Sequence, residues 1–225
     1  MNFRQAHAPQ SENLEFRNLL ERLAELVAHE NIPVVAYRSK DHPGFQNLDA
    51  ENRSRILASL KLTIEAYEEL LSSGQSLSRN LNAVWSSLKR RGLVPQSDLF
   101  HHLDGNDIIE VYDQSGYQIF RSLHFLELCS YDLETLFTST FRELFERDSI
   151  FDEAQKLLLA NFNEDTIQQA AKLQGVEHTV RERSSPARLE FITRTTGAYP
   201  LYSKETGLLA GFIHAVQGRF KEHTA

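Results

Sequence analysis

The spacing of apolar residues changes near residue 107, and this change constrains the fold more than any other feature of the sequence. Before it, apolar residues recur every three or four positions in three stretches, as in amphipathic helices. After it, residues 108–112 and 117–120 are short apolar runs separated by a turn that ends at Gly116. The sequence therefore predicts an α+β protein with a helical first part and a sheet in the second.

The first hundred residues are predicted to form a helical region of three helices. The first helix spans residues 14–30, the second runs from an N-cap at Asp49 to about residue 72, and the third starts at Ser76 and ends near Gly92. Because an amphipathic helix cannot bury its apolar stripe alone, these helices must pack on something. Three alternatives stay open, namely packing within the chain, a homodimer interface, and a surface for another protein.

The second part is predicted to continue with helices and then three strands. Residues 123–131 and a segment capped by Asp132 are short helices, and a longer helix is expected from an N-cap at Asp152 through Asn161. The expected strands cover residues 176–183, 189–202 and 208–216. The predicted order is therefore two strands, several helices, and three strands.

The charge is unevenly placed along the chain. The formal net charge is −7; residues 1–100 carry 12 basic and 12 acidic side chains, and residues 101–225 carry 12 and 19. An acidic second part argues against binding to nucleic acid, which requires concentrated cations. The cationic triplet at residues 89–91 is typical of a helix C-terminus.

Other bulk features indicate a protein of the cytoplasm. The sequence has no run of about 18 apolar residues, so we expect no membrane-spanning helix. The first 16 residues lack the apolar core of a signal peptide. The single cysteine excludes an internal disulfide and a cysteine-rich metal site, which fits a reducing compartment.

Motifs for catalysis or metal binding are missing from the sequence. It contains no Gly-rich dinucleotide or phosphate loop, no His-Glu-x-x-His and no Gly-x-Ser-x-Gly. His101 and His102 are adjacent, lack a further ligand at helical spacing, and are expected in a solvated linker. The paired carboxylates at Glu68 and Glu69 are typical of a solvated helix face. We therefore expect a protein that is not an enzyme and has no metal site.

Several short matches in residues 106–218 resemble the PAS family of sensory and regulatory domains. In that family, a strand ending in an aromatic residue is followed two places later by a small polar residue, as at Phe120 and Ser122. A helix closing in Leu-Thr-Gly-Tyr and a Glu-Glu-Leu turn then follow, and both are matched loosely, by Leu128-Cys129-Ser130-Tyr131 and Glu134-Thr135-Leu136. Residues 141–148 and the final hairpin at 200–207 are also similar. The resemblance implies a five-stranded antiparallel sheet with helices on one face, preceded by the helical region of residues 1–100.

The resemblance also implies a function. We expect a bacterial-type signalling protein that senses a small-molecule ligand in a cavity, or relays a signal by protein–protein contact. The residues expected to line the cavity are Phe120, Phe125, Leu128, Phe141, Leu158, His178, Phe191, Arg194, Tyr199 and Phe212. Alternatively, the rings among them simply fill the core. Two further alternatives are a scaffold that uses the fold only for dimerisation through the N-terminal helices, and a sensory fragment of a longer signalling protein that continues beyond Ala225.

The known cofactors of the family find little support in this sequence. Flavin-binding members carry a reactive cysteine in an Asn-Cys-Arg-Phe-Leu-Gln motif, whereas Cys129 lies in an earlier helix without that motif and is expected to be a small core residue. Haem-binding members use a histidine in the long helix, and residues 151–162 contain none. His124 and His178 are the remaining alternatives for an iron ligand. We therefore expect neither flavin nor haem. Ser122 and Ser130 replace the usual Asn and Gly of the family. The resemblance therefore does not predict how the helix between them bends.

Overall fold

A seven-stranded antiparallel sheet is the frame of the structure, a computed structural model that describes residues 9–78, 80–185 and 187–220. The strands are β1 (Leu93–Pro95), β2 (Ile108–Asp113), β3 (Gln118–Arg121), β4 (Phe145–Arg147), β5 (Glu177–Glu182), β6 (Glu190–Ser203) and β7 (Leu209–Phe220). The helices are α1 (Gln10–Ala28), α2 (Pro43–Gln46), α3 (Ala50–Ser72), α4 (Asn80–Arg90), α5 (Leu99–His102), α6 (Leu123–Leu128), α7 (Leu133–Thr138), α8 (Phe141–Leu144), α9 (Ser149–Ala160) and α10 (Glu164–Ala171). The predicted α+β class is confirmed.

The strands lie in the order β3-β2-β7-β6-β5-β4, and β1 pairs with the C-terminal part of β6. The prediction of a five-stranded sheet was wrong because β1 and β4 were missed. Each has three residues, which is too short to show an alternation of apolar and polar side chains. The five predicted strands are all present, with β6 continuous across a register shift between Thr195 and Gly197.

Helices cover both faces of the sheet, so the prediction of helices on one face was also wrong. On one face, Phe120 of β3 contacts Tyr67 of α3, with ring centroids 6.3 Å apart. On the opposite face, Tyr112 and Phe212 cluster with Ile167 of α10. The physical reason lies in β2, whose residues 108–112 are all buried, as expected of a strand packed on both sides.

The apolar stripes of the N-terminal helices are buried within the chain. Phe16, Leu20 and Leu26 of α1 and Leu60 of α3 are fully or almost fully buried. They belong to the same hydrophobic cluster as sheet residues such as Ile213. Of the three alternatives for these stripes, packing within the chain is the one observed. A homodimer would therefore have to form through other surfaces, and it stays a prediction.

A buried contact between polar side chains joins the connector between α1 and α3 to α7. His42 Nδ1 lies 3.2 Å from Glu134 Oε2, and both residues are buried. Glu134 also accepts a hydrogen bond from the backbone N–H of Gly44. Residues 34–37 do not form a strand, yet the carbonyls of Val35 and Ala36 accept hydrogen bonds from the backbone N–H groups of residues 133 and 134.

Local sequence signals predicted most helix ends. Asp49 caps α3 and Asp132 caps α7, each accepting a hydrogen bond from a backbone N–H three residues later. Gly116 has a φ of 77°, as the hairpin turn requires. The cap predicted at Asp152 was wrong, because α9 begins three residues earlier with Asp148 at its N-cap.

Two other predicted helix bounds differ from the structure. The third helix begins at Asn80 within the described residues rather than at Ser76, and residue 79 lies outside the described ranges. The hydroxyl of Ser76 instead donates a hydrogen bond to Glu30. Helix α6 ends at Leu128, before Ser130, whose N–H and hydroxyl both bond to Glu182. In the described part of the chain, no helix is long and apolar enough to cross a membrane.

Candidate functional site

Two small cavities lie between the sheet and helices α8, α9 and α10. The first, the Phe151 cavity, has a volume of about 50 Å³ and is lined by residues of α9, α10, β2, β4, β6 and β7. The second, the Phe191 cavity, has about 20 Å³ and lies against β5 and the neighbouring parts of the sheet. Arg147 and His214 line both cavities. This shared wall makes the two cavities parts of one candidate site.

Glu110 is the centre of a buried hydrogen-bond network beside the cavities. Its carboxylate accepts hydrogen bonds from Gln118 Nε2 at 2.8 Å and from the Tyr112 hydroxyl at 3.2 Å, and pairs with His214 Nδ1 at 3.1 Å. Burial raises the pKa of Glu110, but the hydrogen bond and charge of His214, with the charges of Arg147 and Arg121, outweigh this and lower it overall. Glu110 is therefore a buried carboxylate, ionised at neutral pH, that already has three partners.

Arg147, unlike Glu110, has a buried side-chain nitrogen without a hydrogen-bond partner among the described residues. This nitrogen is Nε. The guanidinium stacks on Phe141, with its central carbon 3.8 Å from the ring centroid. Burial lowers the pKa of Arg147, and the negative charge of the nearby Glu110 opposes this shift. The result is a partly buried cation whose buried Nε–H has no acceptor among the described residues.

Two more buried polar atoms without a described partner belong to residues of the Phe151 cavity wall. They are the hydroxyl oxygen of Thr195 and the side-chain oxygen of Gln155. Buried polar groups in folded proteins are nearly always hydrogen-bonded. Three such atoms in the wall of one cavity, with Arg147 as the third, indicate a place for a hydrogen-bonding guest.

His178 is buried in the wall of the Phe191 cavity. Its ring stacks on Phe151 at 3.5 Å between centroids and bonds to the Thr193 hydroxyl, which lies 3.0 Å from Nε2. Burial, together with the positive charges of Arg147 and His214, lowers the pKa of His178 to about 3. His178 is therefore a neutral imidazole at physiological pH.

The structure brings together six of the ten residues predicted for the cavity. Phe125, Phe141, His178 and Phe191 line the Phe191 cavity. Leu158 and Phe212 line the Phe151 cavity. Their joint position was predicted from the order of elements that resembles the PAS family.

The other four predicted residues lie elsewhere. Phe120 is on the opposite face of the sheet against α3. Arg194 is exposed and donates a hydrogen bond to Gln217 at 2.9 Å. Tyr199 stacks on His102 at 6.2 Å, and Leu128 lies beside Gly218, away from both cavity walls. Arg194 lies on the face opposite Thr193 and Thr195 because side chains alternate along β6. Tyr199 lies on that opposite face because of the register shift between Thr195 and Gly197, which makes it the partner of Ile213 and not of a cavity residue such as Phe212.

Apart from His178, the polar residues of the site were not predicted. Glu110 had a visible signal, since it is a charged residue in the middle of an apolar strand that is buried on both faces. Arg147 lies on β4, a strand too short to recognise. Thr195, His214 and Gln155 look like ordinary strand or helix residues in the sequence, and only the pairing of the strands places them together.

Cys129 and His124 do not form part of the site. Burial raises the pKa of the Cys129 thiol to about 12, which makes it a poor nucleophile. Neither residue lines the two cavities. Among the described residues, no group of three or more His, Cys, Asp or Glu side chains could hold a metal ion.

No protein-family model matches the sequence. A comparison with curated proteins likewise found no significant match.

Proposed function

We propose that this chain is a non-enzymatic regulatory protein with a PAS-like domain that binds a small ligand in the Phe151 cavity. The observation that carries the proposal is the wall of this cavity. Its apolar side chains surround three buried polar atoms that have no partner among the described residues. A mostly apolar concave site with a few converging polar groups is the usual form of a small-molecule site.

The arrangement of the sheet supports the PAS-like part of the proposal. The five longest strands β2, β3, β5, β6 and β7 follow the order of two strands, helices and three strands that the resemblance implies. The two remaining strands, β1 and β4, are additions at the side of β6 and at the edge beyond β5. The cavity lies between this sheet and the helices that follow the first hairpin.

The volume of the cavity limits the size of the ligand. A water molecule needs about 10–15 Å³ of such volume, so the 50 Å³ of the Phe151 cavity has room for a few waters or a ligand of similar size. Pockets for drug-sized molecules are several times larger. The proposal is therefore for a small metabolite, acting by a change in the contacts of α9 and α10.

Mass spectrometry of natively purified protein and thermal shift with a panel of small metabolites test the proposal. We expect at least one compound to bind. Ala154→Leu places a larger side chain in the cavity wall and should abolish the thermal shift. Ala160→Leu on the same helix is exposed and should leave it unchanged. No bound molecule and no shift from any compound would contradict the proposal.

The alternative of a dimeric scaffold has one surface in its favour. Trp85 of α4 is 53% exposed, and its ring contacts Phe100. Exposed tryptophans are enriched in protein interfaces. Light scattering of the wild type and of Trp85→Lys checks this alternative, since a dimer through α4 should dissociate in the variant. A monomeric wild type would contradict it.

A further inference from the structure

We propose that the ligand of the Phe151 cavity is a small carboxylic acid with a short apolar chain, and that Arg147 binds its carboxylate. This inference rests on the ligand-binding function proposed above and adds the chemical class. It follows from the balance of buried charges, the chemistry of the unpartnered atoms, and the size of the cavity.

The buried charges around the cavities are out of balance. Among the described residues around the cavities, the guanidiniums of Arg121 and Arg147 and the imidazole of His214 all act on one carboxylate, that of Glu110. The nearby Asp152 already forms ion pairs with other side chains, since its oxygens lie 3.3 Å from Arg142 and 3.0 Å from Lys156. A buried cation without a paired anion is costly, because burial removes its hydration. An anionic guest in the cavity would correct this imbalance.

The two arginines are not equally available to such an anion. Arg121 donates hydrogen bonds to Gln118 Oε1 at 2.6 Å and to the carbonyl of Leu136, and it does not line either cavity. Arg147 lines both cavities, and its buried Nε is without a partner among the described residues. The guanidinium fork matches a carboxylate with two parallel hydrogen bonds. Arg147 is therefore the side chain that would bind the anion.

Glu110 is held by partners other than Arg147, and it forms no hydrogen bond with the buried Arg147 Nε. Its two oxygens already accept from Gln118 and Tyr112 and pair with His214. The network holds Glu110 at β2, on the sheet side of the site. Its negative charge still favours the ionised form of Arg147, and it disfavours a ligand with two or more negative charges. A ligand with one carboxylate group is therefore compatible with the negative charge of Glu110.

The rest of the Phe151 cavity is suited to an apolar chain. Its wall includes Phe151, Leu158, Leu173 and Phe212. The volume of about 50 Å³ corresponds to roughly four waters, which is the space of about four to six non-hydrogen atoms. The hydroxyl of Thr195 can donate a hydrogen bond to the second carboxylate oxygen. A short monocarboxylic acid therefore matches the cavity in charge, polarity and size.

Thermal shift and titration calorimetry of the full chain test the proposal with acetate, propionate, butyrate and valerate. The matched probes are propionamide and butyramide, which keep the shape without the charge, at constant ionic strength. We expect propionate or butyrate to bind at least tenfold more tightly than the corresponding amide. Equal binding of acids and amides would overturn the role of Arg147.

Variants test Arg147 directly. Arg147→Met should weaken binding of the acid at least tenfold, whereas Arg219→Met, at the exposed end of β7, should leave it within twofold. Should Arg147→Met fail to fold, the side-chain Nε–H signal of Arg147 in a ¹H–¹⁵N spectrum of the wild type gives an independent measurement. We expect this signal to shift on addition of the acid and not of the amide; an unchanged signal on saturation would overturn the proposal.

The outcomes separate the two proposals. If none of the acids binds while another metabolite in the panel does, the inference about the carboxylic acid fails and the ligand-binding function stands. If neither the acids nor the panel bind, both fail.

Discussion

His214 Nδ1 lies 3.1 Å from Glu110 Oε2, and the two residues are direct register partners across β2 and β7. This contact therefore depends on the pairing of two central strands that are far apart in the sequence. It fixes the negative charge of the site at the middle of the sheet. The pairing also leaves the guanidinium of Arg147 without that carboxylate as a hydrogen-bond partner.

We expect Glu110→Gln to lower the free energy of unfolding by about 2–4 kcal/mol, because it removes the buried carboxylate whose charge acts on the guanidiniums of Arg121 and Arg147. Urea denaturation measures this change. The control is Glu127→Gln, an exposed carboxylate of α6, whose effect should stay within about 0.5 kcal/mol. Equal effects of the two substitutions would contradict the role assigned to Glu110.

The stability of the protein should fall with acidification because of His178. Its pKa is lowered from 6.5 to about 3 in the folded chain, so between these values the unfolded chain takes up a proton that the folded chain excludes. The contribution of neutral His178 to the free energy of unfolding is complete above pH 6.5 and is lost as the pH falls towards 3. From pH 6.5 to 5 the loss is about 2 kcal/mol.

The variant His178→Gln separates this contribution from that of other titrating groups. It should be less stable than the wild type at pH 7 and show a smaller loss of stability between pH 7 and pH 5 in urea denaturation. Parallel pH profiles for the two proteins would show that His178 is not the source of the acid sensitivity.

Gly211→Ala should disrupt the pairing of β2 with β7. A Cβ at this position would lie 2.3 Å from the backbone oxygen of Tyr112, and backbone of a central strand cannot move aside easily. We expect a loss of at least about 2 kcal/mol on thermal or urea unfolding, within the range for overpacked sites. Gly105→Ala, where a Cβ would meet nothing within 4 Å, should change stability by less than about 0.5 kcal/mol.

Leu60→Ala tests whether the N-terminal helices and the sheet share one core. Leu60 of α3 is fully buried, so the truncation should cost about 2–5 kcal/mol. The fluorescence of Trp85 and the far-ultraviolet circular dichroism should shift to the same lower urea midpoint. Leu14→Ala, at a position 49% exposed, should leave both midpoints in place. Separate midpoints for the two signals would contradict a shared core.

Much of the fold could be predicted because its signals are local. The helix stripe of α1, the cap at Asp49 and the turn at Gly116 each depend on residues close in sequence. The two short strands could not be predicted, since β4 forms only by pairing with β5, which follows it by some thirty residues. The second helical layer was missed because the resemblance implied one covered face, although the apolar residues of β2 indicated two.

The candidate site was predicted in its apolar part and missed in its polar part. Rings such as Phe191 and Phe212 belong to the core of almost any arrangement of these strands, so placing them near a cavity required only the order of the elements. The positions of Arg147 and His214 depend on strand register and on which face each side chain occupies, and a shift of one residue reverses the face. Register of this kind is set by the packing of the whole sheet, which no short segment encodes.

The length of β6 has a consequence for cooperativity. This one strand pairs with β5 beside the cavities at its N-terminal end and with β1, next to the helical region, at its C-terminal end, while β7 runs along its other side. Opening the C-terminal end would break backbone hydrogen bonds to β1, which belongs to the helical half of the chain, and opening the N-terminal end would break those to β5. The amide protons of β6 should therefore exchange with solvent only through global unfolding, and the two halves should behave as one folding unit.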